Sequence, residues 1–281
     1  MIEIVKVENK DQEKEFVMFP FSLYKGCDYW VPPIISEELE SMDKEKNPVF
    51  ENAEAEFYIA KKDGVTVGRI AAMVNWVEIE EQKKNKLRFG WYDTIDDLEV
   101  SKKLLESVIE FGKKRKLEFV DGPVGFSNMD KAGLLIDGYE ELNTMITWYH
   151  YPYQKEHLKK LGFSKLAEWV EYKIKIFSAE DAPEKVKKFS KIIQQRYELK
   201  VLNFKSRKEI IPYVDKMFEL LNVTYSNLQT YVTIKQYQID FYKEKFIKYI
   251  HPDFIKCCLD KDDNLIAFLI TMPSFSRALK K

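Results

Sequence analysis

Residues 117–139 read "LEFVDGPVGFSNMDKAGLLIDGY": an apolar stretch running into a loop that holds Gly122, Gly125, Gly133 and Gly138, out of ten glycines in the whole chain. A strand followed by glycines invites a phosphate-cradling reading, but the spacing refuses it. Gly-x-x-x-x-Gly-Lys-Ser/Thr is missing, since Lys131 is followed by Ala132, and Gly-x-Gly-x-x-Gly does not occur either. The stretch is therefore a sheet strand whose exit is either the wall of a ligand pocket or a succession of turns.

Working outward, 2–7 alternates as a short strand, and 12–24 has helical spacing with Phe16, Phe19 and Leu23 on one stripe. "YWVPPII" (29–35) is extended because each proline removes a donor and restricts the residue before it. "EFYIAKKDGVTVGRIAAMVN" (56–75) reads as a hairpin, since Asp63-Gly64 tolerates the positive φ angles of a tight turn. A strand follows at 87–95. A helix over 97–112 groups Leu98, Leu104, Leu105, Val108, Ile109 and Phe111, and the strand 117–124 enters the glycine-rich loop. "YPYQKEHLKKLGF" (151–163) is a helix stopped at Gly162, and "LAEWVEYKIKIF" (166–177) alternates as a last strand.

Beyond a polar connector at 178–185, the spacing predicts a strand at 200–204, helices over 207–222 and 233–250, and a hairpin at 253–273. Phe57–Val74 and Phe254–Pro273 share one pattern of apolar strand, acidic turn and apolar strand, which reads as an internal repeat.

Charge narrows the partners. Lys plus Arg number 45 against 46 Asp plus Glu, so no field draws the chain to nucleic acid or an anionic membrane. No apolar run approaches the ~20 residues of a membrane span, and no signal peptide opens the sequence. Three cysteines give no disulfide framework, which suits a reducing cytoplasm, and three histidines without a cysteine cluster predict no metal site.

The element order, with "HLKKLGF" leading into "SKLAEWVEYKI", resembles the GNAT acyltransferase fold. Together "YWVPPI", "NPVFENAEAEFYIAKKDGVTVGRIAAMVN", "DGPVGFSNMDKAGLLIDGY" and "YPYQKEHLKKLGF" resemble a YghO-like bacterial GNAT family. The resemblance implies an α/β (α+β) architecture: a mixed central sheet flanked by helices, complete over 1–178, in tandem with a partial second GNAT-like unit over 179–281. Either the sequence is a piece of a longer two-domain protein or its second unit is short by nature.

For function, the resemblance implies transfer from acetyl-CoA or another acyl-CoA to a small cytoplasmic amine, with no metal. Asp93 or His150 would be the base and Tyr149 a proton donor. The backbone at Trp91 and Tyr92 would hold the thioester. The splayed strand and its loop would bring Asn128, Asp130, Asp137 and Trp148 to the acceptor. A bland reading stands beside each: Asn128 and Asp130 as turn caps, Asp137-Gly138 as a tight turn, His150 as a satisfied structural histidine.

Two departures from the family pattern favour an alternative, a non-catalytic scaffold that binds a metabolite or protein partner. The family's Gln/Arg-x-x-Gly-x-Gly/Ala pyrophosphate pattern is replaced by "YDTIDDLEVSKKLL" (92–105), where Asp93, Asp96, Asp97 and Glu99 crowd the helix start. Carboxylates there cap amides and oppose an anion. The tyrosine expected four residues before the Gly-Phe turn is Leu158.

Overall fold

A computed structural model describes residues 1–175, 178, 180–228, 230–246 and 250–281. The chain divides into two compact units, one of Met1–Glu168 with Gln229–Thr233 and Ser274–Lys281, the other of Trp169–Leu228 with Ile234–Pro273.

The first unit is built on a five-stranded sheet. Its strands are β1 (Ile2–Lys6), β2 (Ala53–Lys62), β3 (Val65–Asn75), β4 (Lys86–Thr94) and β5 (Phe119–Asp121), in spatial order β1-β2-β3-β4-β5. The first four are antiparallel, and β5 runs parallel to β4. Asp63 and Gly64, at φ 53° and 82°, make the two-residue turn between β2 and β3.

Helices α1 (Lys10–Leu23) and α2 (Ile35–Met42) cover one face of the sheet; α4 (Leu98–Lys114) covers the other, after a short α3 (Trp76–Glu80). Asn9 caps α1 by accepting from the Gln12 amide at 3.0 Å. Val100, Leu104, Leu105, Val108 and Phe111 of α4 pack on Ile70, Ala72, Leu87 and Phe89. Each such side chain contributes about 1.5–3 kcal/mol of burial. Leu98 and Ile109, expected on that face, stand at its margins, 37% and 38% exposed.

The alternation at 166–177 does not become a strand. Residues 164–175 are irregular, and Trp169, Val170, Tyr172 and Ile174 are exposed; Ile176 and Phe177 lie outside the described residues. Alternation marks a capacity for pairing, and a ladder needs a partner strand, which this segment does not have among the described residues. The strand expected at 117–124 shortens to three residues because β5 leaves its partner at Gly122.

In the second unit, β6 (Lys200–Asn203), β7 (Ile255–Leu259) and β8 (Leu265–Ile270) form an antiparallel sheet, order β6-β7-β8. Ile210, Val214 and Met217 of α7 (Arg207–Tyr225) pack on Phe204, Ile255 and Cys257. The hairpin forms as its sequence predicts. The helix expected over 233–250 is α8 (Gln236–Phe246), and 247–249 lie outside the described residues. Sequence periodicity did not single out α6 (Glu184–Arg196), which buries no residue.

A buried ionic network fixes the start of β4. Lys86 Nζ meets Asp121 Oδ2 at 2.8 Å and Glu78 Oε1 at 3.1 Å, and Arg88 grips Glu78 through two 2.7 Å bonds. Arg88 also donates to the Gly125 and Thr230 carbonyls at 3.0 and 2.7 Å. Removing one partner strands the others without water. Arg88→Met is expected to cost about 3 kcal/mol in urea unfolding. Tryptophan fluorescence reads it, because Trp30, Trp76, Trp91 and Trp148 all lie in the first unit. The double variant Glu78→Leu/Arg88→Met should lose less than the sum of the two single changes.

Candidate functional site

The site begins with one extra residue in β4. Arg69 pairs with Asp93 and Ala71 with Gly90, so Trp91 and Tyr92 together oppose Ile70. Trp91 takes φ 47°, a left-handed geometry costly for a bulky residue, which places a β-bulge here. The bulge reverses the alternation. Leu87 and Phe89 face α4, whereas Trp91 joins Phe57, Met73 and Phe126 on the opposite face, and Asp93 follows it beside Arg69. Gly90 is required at this point: a Cβ there would lie 2.5 Å from the Val124 carbonyl oxygen and 3.1 Å from Trp148.

Below the bulge lies a narrow cleft of about 20 Å³, room for little more than one water. The end of α1 contributes Tyr24, the extended 30–33 segment Trp30, α2 Glu38, β3 Arg69, β4 Asp93, and the glycine-rich loop Lys131; Trp148 and Tyr149 close it. Asp93 is fully engaged, with Oδ2 accepting from Arg69 Nε at 2.8 Å and Oδ1 from the Tyr24 hydroxyl at 2.7 Å. Burial, reinforced by the adjacent Asp93 charge, holds the Tyr24 phenol well above its ordinary pKa. Glu38 Oε2 accepts from Trp91 Nε1 at 2.6 Å, and its Oε1 lies 4.0 Å from Lys131 Nζ. Burial pushes the Lys131 amine down, against the pull of Glu38.

Asp93, Tyr149 and Trp148 thus come together as the sequence suggested, with Trp148 edge-on to Trp91 at 5.9 Å between ring centres. The Tyr149 hydroxyl donates to the Tyr139 carbonyl at 3.1 Å. The loop carboxylates and amide do not reach the cleft wall. Asn128 Oδ1 accepts from the Val232 amide, Asp130 Oδ2 caps the Ser127 amide at 2.9 Å, and exposed Asp137 bonds the next backbone N–H. Lining residues that the sequence did not single out are Tyr24, Trp30, Glu38 and Arg69. They come from distant segments, and no local motif joins them.

His150, offered by the sequence either as a base or as a satisfied structural histidine, lies enclosed beside the cleft. It is 1% exposed, and its Nδ1 accepts from the Leu135 amide at 3.2 Å. Burial lowers its pKa to about 4. Gln154 donates to the Tyr92 carbonyl, at 3.2 Å.

At the start of α4, Asp97 behaves as the sequence predicts. Its Oδ1 accepts from the Glu99 amide at 3.0 Å and its Oδ2 receives Lys62 at 3.1 Å, and the lysine bond holds its carboxyl below the ordinary range. Asp96 instead bonds His157 Nε2 at 3.2 Å, while His157 Nδ1 meets Ser101 Oγ at 2.8 Å. These are the residue types of a hydrolytic triad, but Ser101 is fully buried and already receives the Tyr92 hydroxyl. The chain of bonds ties α4 to α5 (Pro152–Lys160) and is not a nucleophile site.

No family model matches the sequence. The chain is 26% identical over 275 residues to protein YghO of Escherichia coli K12, covering 96% of this chain and 68% of that protein. It is 23% identical over 174 residues to the bacterial ceramide synthase of Caulobacter vibrioides, covering 61% of this chain but only 45% of that protein. Among solved structures, a tandem GNAT protein from the clavulanic acid biosynthesis pathway matches 97% of this chain and 76% of its own, at 10% identity and TM-score 0.45. A predicted acetyltransferase with acetyl-CoA from Clostridium acetobutylicum matches 62% of this chain and 96% of its own, at 12% identity and TM-score 0.38. The fold that these likenesses accompany is a mixed α/β one, a five-stranded sheet with helices on both faces and a separate three-stranded sheet.

His150 makes this site sensitive to pH. Its folded pKa of about 4 lies below the ordinary 6.5, so the unfolded chain binds the proton more readily between those values. Stability is therefore fully present above pH 6.5 and falls as the pH drops toward 4, by about 3 kcal/mol in total. Urea unfolding across this range should show the loss, and His150→Gln should flatten that part of the profile.

Proposed function

We propose that this chain transfers an acyl group from an acyl-CoA to a small amine at the cleft beside the β4 bulge. The observation that carries the reading is the placement of a buried carboxylate, Asp93, bonded to a phenol, Tyr24, where β4 departs from regular pairing. The GNAT-like fold supports the reaction class, and a distant relative named a ceramide synthase fits acyl transfer to an amine. The free cysteines suit a reducing cytoplasm.

In this reading the amine's lone pair attacks the thioester carbon, the carbon–sulfur bond breaks, and one proton leaves nitrogen while another reaches sulfur. The Asp93 oxygens are occupied, so the carboxylate acts through its neighbour: the Tyr24 oxygen takes the amine proton as its own passes to Asp93. Tyr149, kept protonated by burial, is the proposed donor to the CoA sulfur. The backbone at Trp91 and Tyr92 is the proposed seat of the thioester carbonyl. Trp148 walls the acceptor, and Asn128, Asp130 and Asp137 hold the shape of the loop.

A second reading has its own observation. Asp97 occupies the start of α4 with a carboxylate, which supports a scaffold that binds a metabolite or protein partner without conventional CoA binding. Calorimetric titration with acetyl-CoA and longer acyl-CoAs separates the two. Saturable heat is expected; none at millimolar ligand would remove the enzyme reading and leave the scaffold. Given turnover, Tyr24→Phe should lower kcat about 100-fold by deleting the proton relay, with little change in KM.

A further inference from the structure

The cleft has donors to spare and few acceptors. Both Asp93 oxygens are taken, and Glu38 Oε2 is held by the Trp91 indole. The cations are spent less completely. Arg69, 3% exposed, gives Nε to Asp93 and Nη1 to the Phe16 carbonyl at 3.1 Å, and its Nη2 has no partner among the described residues. Lys131 Nζ makes no hydrogen bond among the described residues; its ion-pair partner there is Glu38, at 4.0 Å. Both residues line the same cleft, and each feels the charge of the other.

A guanidinium edge and a partly exposed ammonium, both with unused N–H groups, form a receptor for an oxyanion, because charge-assisted bonds are the stronger ones. The cleft is narrow, with Trp30 and Trp148 in its walls, which favours a flat two-oxygen group over a tetrahedral one.

We propose that Arg69 Nη2 and Lys131 Nζ form a carboxylate-binding subsite, so that the acceptor is an amine carrying its own carboxylate. This deepens the acyl-transfer reading and rests on it for the word acceptor. The carboxylate sits between the two cations, and the amine is turned toward Tyr24 and Asp93. Glu38 positions Lys131 and balances its charge when the subsite is empty. A neutral alkylamine leaves both donors unpaired and binds more weakly.

The test is a titration of the whole chain with sodium acetate at constant ionic strength, followed by tryptophan fluorescence, since Trp30 and Trp148 line the cleft. Acetamide, the neutral isostere, and inorganic phosphate are run as matched arms. Acetate is expected to saturate and acetamide to give no response. Lys131→Met should weaken acetate about tenfold, and Lys131→Arg should restore it. Equal responses to acetate and acetamide, no saturation, or an unchanged Lys131→Met would overturn the subsite, and saturation by phosphate in place of acetate would overturn the carboxylate assignment. Should Lys131→Met fail to fold, the contrast between acetate and acetamide decides alone. Saturable acetate binding in a chain that ignores acyl-CoA would sink acyl transfer and leave the subsite standing.

Discussion

The first unit depends on the pairing of Arg69 with Asp93 across the β4 bulge. A regular β4 would send every second side chain to the same face, and Trp91 would sit with Leu87 and Phe89 under α4. The additional residue reverses that order and turns Asp93 toward the glycine-rich loop. An isolated carboxylate could not remain ionised there, and an isolated guanidinium would be equally costly. Each makes the burial of the other tolerable, and Tyr24 and the Phe16 carbonyl absorb further bonding capacity. The bulge, the ion pair and the cleft therefore stand or fall together.

The same face of β4 carries two charged assemblies with opposite characters. Glu78, Lys86, Arg88 and Asp121 satisfy one another and two carbonyls, and such closed networks specify geometry rather than bind ligands. A few residues along, Arg69 and Lys131 retain donor capacity beside aromatic walls. Unspent donors, rather than charge alone, distinguish a receptor from a structural brace.

The start of α4 shows capping and packing divided between different residues. A helix terminus offers amides and the positive end of a dipole to any anion. Here Asp97 takes the position, and Lys62 in turn neutralises Asp97. The helix keeps its packing on the sheet, because that is set by Val100, Leu104 and Val108 on a different side. Packing and capping are carried by separate residues, so the two do not constrain each other.

Much of the fold was legible in the sequence because its signals are local. Asp63-Gly64 permits a turn geometry few other pairs accept, the apolar spacing of α4 matches the helical repeat, and Asp97 caps the helix beside it. Loop residues Asn128, Asp130 and Asp137 have the side chains of turn builders, and each accepts a backbone amide. Asp93, Trp148 and Tyr149 were legible as candidates, and the fold gathers them at one cleft. Periodicity promised a strand at 166–177, yet a strand exists only where a neighbour supplies the other half of its hydrogen bonds. It could not foresee the bulge, since one extra residue alters parity without altering composition. Nor could it pair Arg69 with Asp93, or bring Tyr24, Glu38 and Lys131 to one cleft. The sequence determined the elements, the turns and the capped start of α4, through interactions between near neighbours along the chain; tertiary structure alone decided which charges are spent and which face the cleft, because burial and long-range pairing exist only after folding.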